Sequence, residues 1–514
     1  MRVCLIIGFV FALASGSAIA QSVVFPRTTN YHIEAGTYIV EGNQMPFWLR
    51  ANQFGVVPLE TGVSTARVGL SSDYRKPIEA LGKINRKRFD WGYGLELVGN
   101  LTDGRQQLLI PEAYAKVRYE FIELMAGRRK EIFGLVDTTL TSGSYVWSGN
   151  ALPIPKIQIG TTGFTPIPLT RQLLAFHALY NHGWFSNSGM TQDFFLHQKL
   201  LYLRLGKPEW KLKLYGGLNH QAQWGGYSPI LNNAVSNNGY LPSSLRDYWL
   251  MIRAFRGANR VDPTLTTMEE NRIGNHLGSV DVAAELQLGT VSLMAYRQSV
   301  YDDGSLYFLT NIADGLNGIR LQNRKAGGSF FSIREVLTEF LYTKSQGGSI
   351  FVLEFGQDKL RGRDDYFNHS QYLDGWAYDG RGIGTPFIAP QTELRPEFPQ
   401  TYKVFTNNRV AMFHAGISGV LGNRVEWQSR ISYSKNYGTY NRAFETRPTQ
   451  FSAQFMVSAP INLPVLGQMS INSTLAVDRG ELLPTSSGVY IGLRKTFRTG
   501  PPVLTPDSTV PPEE

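Results

Sequence analysis

The sequence predicts an all-β chain that folds as a transmembrane antiparallel β-barrel of about 18 strands with long loops. From about residue 30 to residue 497, segments of about ten residues alternate in polarity and are separated by Gly, Asn, Asp or Pro. After residue 20, no apolar run reaches the ~18 residues that a transmembrane helix needs. Aromatic residues such as Trp91, Trp210 and Phe497 cluster at the ends of the predicted strands, as they do at the membrane interfaces of a barrel.

The N-terminus has the pattern of a secretory signal peptide. Arg2 precedes an apolar run over residues 3–14, and Ala18-Ile19-Ala20 is a small-residue cleavage site. We therefore predict that residues 1–20 are removed, that the barrel occupies residues 21–498, and that the Pro-rich residues 499–514 form a disordered tail. The expected location is the outer membrane of a Gram-negative bacterium.

Composition restricts the chemistry of the mature chain. The one cysteine, Cys4, lies in the predicted signal peptide, so neither disulfides nor a thiolate metal site are expected. The net charge of +9 falls to about +8 once Arg2 is removed. In an exported protein, this basic balance favours an acidic polymer or a lipid headgroup as the partner rather than nucleic acid.

The alternation of apolar and polar side chains assigns the two faces of the predicted strands. Segments 112–119 and 425–433 show it clearly. The residues predicted to face lipid are Ala113, Ala115, Val117, Trp427 and Ile431, and those predicted to face the lumen are Glu112, Lys116, Arg118, Glu426 and Arg430. A soluble β-sandwich would alternate in the same way, and the aromatic residues at the strand ends are what favour the barrel.

Two further segments fit this architecture. The last strand carries Val489, Ile491 and Phe497 on one face, and its terminal aromatic residue is expected of a strand that closes onto the first strand. Residues 244–255 break the alternation, because their apolar side chains recur at helical spacing after Pro242 and two serines. This predicts a short helix inside a long loop.

Two long connections carry candidate functional residues. The connection within 127–160 is rich in Gly, Ser, Thr and Pro, and loops of this length are often functional. The block 361–387 mixes Arg, Asp and Asn with aromatic residues, which together bind sugar hydroxyls and carboxylates and stack on sugar rings. The predicted glycan-binding residues are Arg361, Arg363, Asp364, Tyr366, Asn368, His369, Trp376 and Arg381, with Trp147 and Asn150 from the first connection. The alternative is a salt-bridged plug that only seals the lumen.

A second candidate block, 218–229, contains His220, Gln223 and Trp224. Its alternative interpretation is a strand that ends in an interfacial tryptophan. Enzymatic signatures are absent from the sequence: it contains no H-E-x-x-H, no G-x-S-x-G and no P-loop. His177, His182 and His197 lack metal-ligand spacing and are interpreted as single lumen histidines. We therefore expect no catalysis, no metal and no cofactor.

Several segments resemble the capsule-assembly Wzi family, in the form typical of Bacteroidota-type Gram-negative bacteria. They are GRRKEIFGLVDTTLTSGSYVWSGNALPIPKIQIG, KLYGGLNHQAQWGG, PSSLRDYW, GNHLGS, DGSLYFLTNIADGLNGI and RGRDDYFNH. The family's fold is an outer-membrane β-barrel, and its enterobacterial members act as a surface lectin that attaches capsular polysaccharide without catalysis. Those members carry a helical periplasmic region before the barrel, whereas here the run YHIEAGTYIV begins about ten residues after the predicted cleavage site.

The hypothesis from the sequence is a monomeric barrel in contact with outer-membrane lipid. It would bind capsular polysaccharide, expected to be acidic, through its outer loops and the mouth of the lumen. The first alternative is a porin-type channel for small solutes or oligosaccharides, and the second is an outer-membrane hydrolase. Whether the connections 127–160 and 358–407 fill the lumen discriminates between a lectin and a channel. A channel needs an open water path through the lumen, whereas a lectin does not.

Overall fold

The computed structural model describes one closed antiparallel β-barrel of 18 strands, which confirms the predicted fold class. The strands neighbour one another in chain order, and the last strand pairs with the first. The described residues are 27–75, 78–80, 83–85, 88–253, 272–302, 305–325, 329–350, 352–354, 359–422 and 424–499. The predicted signal peptide, 1–20, and all of the predicted tail except its first residue lie outside the described residues.

Most barrel strands have nine to fifteen residues, which suits tilted strands that span a membrane. In chain order they are β1 Thr29–Glu41, β2 Val63–Ser72, β3 Phe89–Leu101, β4 Gln106–Tyr119, β5 Ile122–Arg128, β6 Lys156–Thr161 (continued by Thr165–Pro166), β7 Leu174–Trp184, β8 Phe195–Leu205, β9 Leu212–Trp224, β10 Asn275–Leu288, β11 Val291–Tyr301, β12 Gly315–Asn323, β13 Phe331–Tyr342, β14 Val410–Leu421, β15 Val425–Asn436, β16 Thr449–Leu463, β17 Gly467–Gly480 and β18 Ser486–Thr499.

The nine connections at one end of the barrel include all of the longest ones, and we call this the outer end because outer-membrane barrels carry their long loops outside the cell. The connections are L1 42–62, L2 102–105, L3 129–155, L4 185–194, L5 225–274, L6 302–314, L7 343–409, L8 437–448 and L9 481–485. The opposite, inner end has short turns, apart from the connection 73–88, which contains the hairpin Ile78–Ala80 and Lys83–Asn85.

Among the described residues, helices occur in three of the outer connections. L1 contains α1, Phe47–Arg50, and L7 contains a 3₁₀ turn, Gln391–Glu393. L5 contains α2, Leu245–Arg253, which confirms the helix predicted near 244–255. Ser244 and Asp247 exchange hydrogen bonds of 3.0 and 3.2 Å at its N-terminus, an arrangement that satisfies exposed backbone N–H groups. No helix in the described ranges has both the length and the apolar composition to cross a membrane.

The two faces of the wall follow the predicted alternation. Val117 and Ile431 are exposed on the outside of the barrel, whereas Lys116 is buried on the inside. Arg430 points into the lumen, where its guanidinium donates a hydrogen bond to the carbonyl oxygen of Thr139 in L3. A band of exposed Leu, Ile, Val and Phe side chains surrounds the barrel, as a lipid-facing surface requires.

The barrel closes through the strand that the sequence predicts. Thirteen residue pairs join β1 to β18, and the rings of Tyr31 and Phe497 stack with centroids 5.0 Å apart. The strand extends to Thr499, two residues past its terminal aromatic residue Phe497 and one past the predicted barrel boundary at residue 498. Stacked aromatic rings on the outer surface near the inner end match the position of an interfacial girdle.

We expect Leu95→Arg to destabilise the barrel by about 2–4 kcal/mol, because Leu95 faces outward near the middle of β3 and an arginine there would meet hydrocarbon. Leu101→Arg, on the same face at the outer end of the same strand, should cost about 0–1 kcal/mol. The free energy of unfolding of both variants can be measured by urea titration of the barrel in lipid vesicles. Equal costs at the two depths would contradict the assignment of this face to lipid.

Candidate functional site

Parts of L1, L3 and L7 fold inward and fill the lumen, and we call residues 44–59, 131–154 and 364–407 of these loops the plug. The loops bond to one another through their backbones: Phe54 N donates to the carbonyl oxygen of Gly149 (2.7 Å), and Thr385 N donates to that of Tyr145 (3.1 Å). The main apolar core of the chain is therefore inside the barrel, and it includes the fully buried rings of Trp48 and Tyr366.

Polar side chains of the inner wall hold the plug. Asp281 of β10 accepts a hydrogen bond from Leu135 N (2.9 Å), Gln298 of β11 from Tyr145 N (3.0 Å) and Glu339 of β13 from Ser142 N (2.6 Å). On the far side of the barrel, Asp478 of β17 accepts from Phe47 N (2.7 Å). These hydrogen bonds replace the ones that the backbone of the buried loops would otherwise make to water.

A buried ionic cluster connects L1 to L7. The Arg50 guanidinium donates to the Glu393 carboxylate, and a nitrogen of Arg381 lies 3.8 Å from the same carboxylate. Arg381 also donates to the carbonyl oxygen of Val57 (2.5 Å). Burial lowers the pKa of Arg381 to about 10, which leaves it charged at neutral pH.

A second ionic cluster fixes L3 near the inner end. Glu131 lies 2.6 Å from the ammonium of Lys156 and also contacts Arg129. Burial opposes the charged form of Glu131, but the two cations outweigh it and lower its pKa to about 2. Because the folded pKa is below the ordinary value of 4.5, the stabilisation is fully present well above pH 4.5 and is lost progressively as the pH falls from there through about 2.

Most members of the predicted block 361–387 belong to the plug. Trp376 has no exposed surface, and Tyr366 donates through its hydroxyl to Asp314 (2.8 Å). The buried members are Asp364, Tyr366, Asn368, Trp376 and Arg381, together with Trp147 and Asn150 of L3. In this conformation the rings of Trp376 and Tyr366 are not accessible to a glycan, so the contacts of these residues agree with the plug interpretation that the sequence left open.

The remaining members of the block lie nearer the surface. Arg363 is exposed, and its guanidinium donates to the Asn441 side-chain oxygen in L8 (2.6 Å). His369 accepts a hydrogen bond from Gln371 N (3.1 Å), and burial lowers its pKa to about 4, so that its ring is neutral near pH 7. Arg361 ends a short strand, and its side chain lies outside the described residues.

The barrel wall separates the members of the second block. Gln223 faces inward and donates to the Gly375 carbonyl oxygen of the plug (2.8 Å). His220 and Trp224 face outward on the same strand, because successive side chains of a strand point to opposite faces. His182 and His197 also face outward, so their interpretation as lumen histidines is wrong, whereas His177 lines the lumen near the inner end. These residues therefore cannot form one site together.

A groove at the outer end brings together residues that the sequence analysis did not connect. It lies between L7 and L8, with a volume of about 280 Å³. It is lined by Asp365, Pro399, Thr401, Tyr402, Lys403, Phe405, Thr406, Thr439, Asn441 and Arg442. Tyr402 is 65% exposed, Arg442 is exposed, and Lys403 donates to Asp365 (2.5 Å). An accessible aromatic ring beside cationic and amide groups is a surface that can bind a sugar.

Comparison with solved structures identifies a shared fold. The barrel is similar to Wzi. The Escherichia coli protein, described as a carbohydrate-binding β-barrel involved in group 1 capsule assembly, matches 90% of this chain and 84% of its own with 14% identity and a TM-score of 0.55. OpdL and OccD3 of Pseudomonas aeruginosa match 92% of this chain at 8% and 10% identity, covering 98% and 91% of their own chains, with TM-scores of 0.43 and 0.39. No protein-family model and no curated protein sequence matches the chain.

At this level of identity, the likeness to Wzi shows the barrel architecture. It agrees with the expected fold of the family that the sequence segments resemble. The glycan, the oligomeric state and the expected lack of catalysis stay predictions.

We expect Glu393→Gln to weaken the anchoring of the plug by about 3–5 kcal/mol, because it leaves the buried cations Arg50 and Arg381 without their carboxylate. In planar lipid bilayers the variant should open to larger conductances than the wild type. Glu397→Gln is the matched control, since Glu397 is exposed and its ion pair with the half-buried Arg395 should contribute less than about 1 kcal/mol. Identical conductance traces for the two variants would contradict this role of Glu393.

Proposed function

We propose that this barrel is an outer-membrane lectin that binds capsular polysaccharide and helps to attach the capsule to the cell. The observation that carries the proposal is the combination of a filled lumen with an exposed aromatic and basic groove at the outer end. Wall side chains bond to the backbone of the plug, which disfavours a porin-type channel. The carbohydrate-binding function described for Wzi, which has the same barrel architecture, gives further support.

The groove offers each type of contact that an acidic glycan needs. The exposed face of Tyr402 can stack on the apolar face of a sugar ring, which contributes on the order of 1 kcal/mol. The guanidinium of Arg442 in the groove can bind a glycan carboxylate, as can that of Arg363, which lies outside the groove lining but bonds to the groove residue Asn441. Because both are exposed, each contact should contribute no more than about 1 kcal/mol. The side chains of Asn441 and Thr401 can hydrogen-bond sugar hydroxyls.

In this proposal, the buried residues of the predicted block act as support for the groove. Asn368 donates to the carbonyl oxygen of Phe405 (2.9 Å), which lies in the floor of the groove. Asp365 accepts from Asn368 (3.0 Å) and from Lys403, and so fixes the position of the Lys403 ammonium. The block would thus contribute to glycan binding in two ways: Arg363 would contact the glycan at the surface, and Asp365 and Asn368 would hold the groove residues Lys403 and Phe405 in position.

Tyr402→Ala combined with Arg442→Gln should weaken binding of purified barrel to capsular polysaccharide on the order of 10-fold, from the loss of one stacking and one exposed ionic contact. The cells should shed capsule into the medium, as should cells from which the gene is deleted. The remaining affinity should depend less on salt than that of the wild type, because one screened charge is gone. Capsule staining and glycan titration at two salt concentrations measure these effects.

The matched control is Tyr307→Ala combined with Arg447→Gln, which changes an exposed tyrosine in L6 and an exposed arginine in L8 that do not line the groove. This variant should retain both capsule and affinity. Normal capsule attachment in the groove variant, or an equal loss in the control, would refute the assignment of the groove. Solute flux through wild-type barrels in vesicles, together with retained capsule after gene deletion, would favour the channel instead.

A further inference from the structure

Helix α2 lies against the outside of the barrel wall. Its residues Met251 and Ile252 belong to an apolar cluster with Trp224 and Ala222 of β9, and this cluster is separate from the core in the lumen. Trp224 and Ala222 face outward, because the intervening Gln223 bonds to the plug. Unlike the plug, which fills the inside of the barrel, this helix therefore occupies the side on which the other strands meet lipid.

The wall beneath α2 is polar, although it faces outward. His197 and Lys199 of β8, His220 of β9 and His276 of β10 share this face, and a hydrogen bond of 3.0 Å joins the rings of His220 and His276. The Lys199 ammonium donates to the carbonyl oxygen of Ile252 at the end of the helix (2.5 Å). Bare polar side chains would be costly against hydrocarbon, so the helix shields this part of the wall.

Two contacts fix the position of α2 along the barrel axis. The hydroxyls of Tyr180 and Tyr248 lie 2.6 Å apart, and Tyr180 is four residues from the outer end of β7. Lys199, which bonds to Ile252, is likewise four residues from the outer end of β8. Four steps of ~3.3 Å on a strand tilted by about 45° correspond to roughly 9 Å below the strand ends. The helix therefore lies beside the wall, just below the level of Trp184 and Trp224.

The opposite face of α2 is exposed and amphipathic. Leu245 and Trp249, one helical turn apart, are 81% and 61% exposed. Arg246 and Arg253 are exposed beside them. Directly below the helix, the exposed apolar surface continues with Leu201, Leu203 and Leu218 of the wall.

We propose that α2 is a membrane-interface helix that binds phosphorylated lipid of the outer leaflet. Leu245 and Trp249 would enter the acyl region, continuous with the apolar band below them, and Arg246 and Arg253 would bind lipid phosphates. Charge complementarity and the position beside the wall support this partner. The site lies on the outside of the barrel, away from the groove between L7 and L8, so the inference is independent of glycan binding.

The depth of Trp249 is the first test. A full-length chain with Trp249→Cys can be labelled at one position with an environment-sensitive fluorophore, since the only native cysteine lies in the predicted signal peptide. In vesicles of brominated phosphatidylcholine the label should be quenched by the lipid, as should a label at Leu203→Cys in the apolar band. A label at Glu397→Cys should be quenched by aqueous iodide instead. Iodide quenching at position 249, or disulfide-linked dimers formed there, would overturn the proposal in favour of water or a second copy of the chain.

The arginines are the second test. Adding lipid A to phosphatidylcholine vesicles should raise the thermal unfolding midpoint of the wild type. Arg246→Gln combined with Arg253→Gln should lose most of this shift. The control, Lys207→Gln combined with Lys211→Gln at the inner end, should keep it. Equal loss in both pairs, or the same shift on adding inorganic phosphate without lipid A, would overturn specific recognition of a phosphorylated lipid.

Discussion

The backbone of a loop that enters a barrel must exchange its hydrogen bonds to water for bonds to protein, and this requirement governs the interior of the molecule. The wall meets it with carboxylate and amide side chains such as Asp281, Gln298 and Glu339, each of which accepts from a plug N–H group. In a water-filled barrel such polar lumen residues would be exposed to solvent. In this barrel they hold L3 in place. The Arg50–Glu393–Arg381 cluster adds a connection between L1 and L7.

The filled interior also determines where a ligand can bind. Because the plug is packed, a ligand that approaches from outside meets the surfaces of the outer loops, and the groove beside Tyr402 lies on one of these surfaces, between L7 and L8. Rigid support from below, such as the bond from Asn368 to Phe405, holds the groove in shape. Binding residues on loops that a rigid scaffold positions are a common arrangement in proteins.

The wall itself presents two chemically different surfaces within one strand. In β9, Gln223 bonds to the plug while the next residue, Trp224, packs under α2 on the outside. The outer polar patch of His197, Lys199, His220 and His276 is compatible with a membrane because a helix from L5 covers it. The position of L5 thus allows polar residues on a face that is otherwise apolar.

Local sequence patterns were sufficient to predict the barrel, its approximate strand number, the closing strand and helix α2. These features depend on local patterns: alternation with a period of two, a terminal aromatic residue, and apolar spacing after a capping serine. The faces of Val117, Ile431 and Arg430 followed from the same alternation. The block 361–387 was recognised as a dense polar and aromatic segment, but whether it was a site or a plug could not be decided from its composition.

The accessibility of those side chains depends on long-range contacts in the folded chain. Trp376 is buried because L7 enters the lumen and meets L3, and that contact joins residues more than 200 positions apart in the chain. The groove pairs Tyr402 with Arg442 across β14 and β15, and no local pattern indicates that these two loops meet. The outward position of His182 and His197 was missed because polarity suggested the lumen, whereas a helix from a distant loop covers that part of the outer wall.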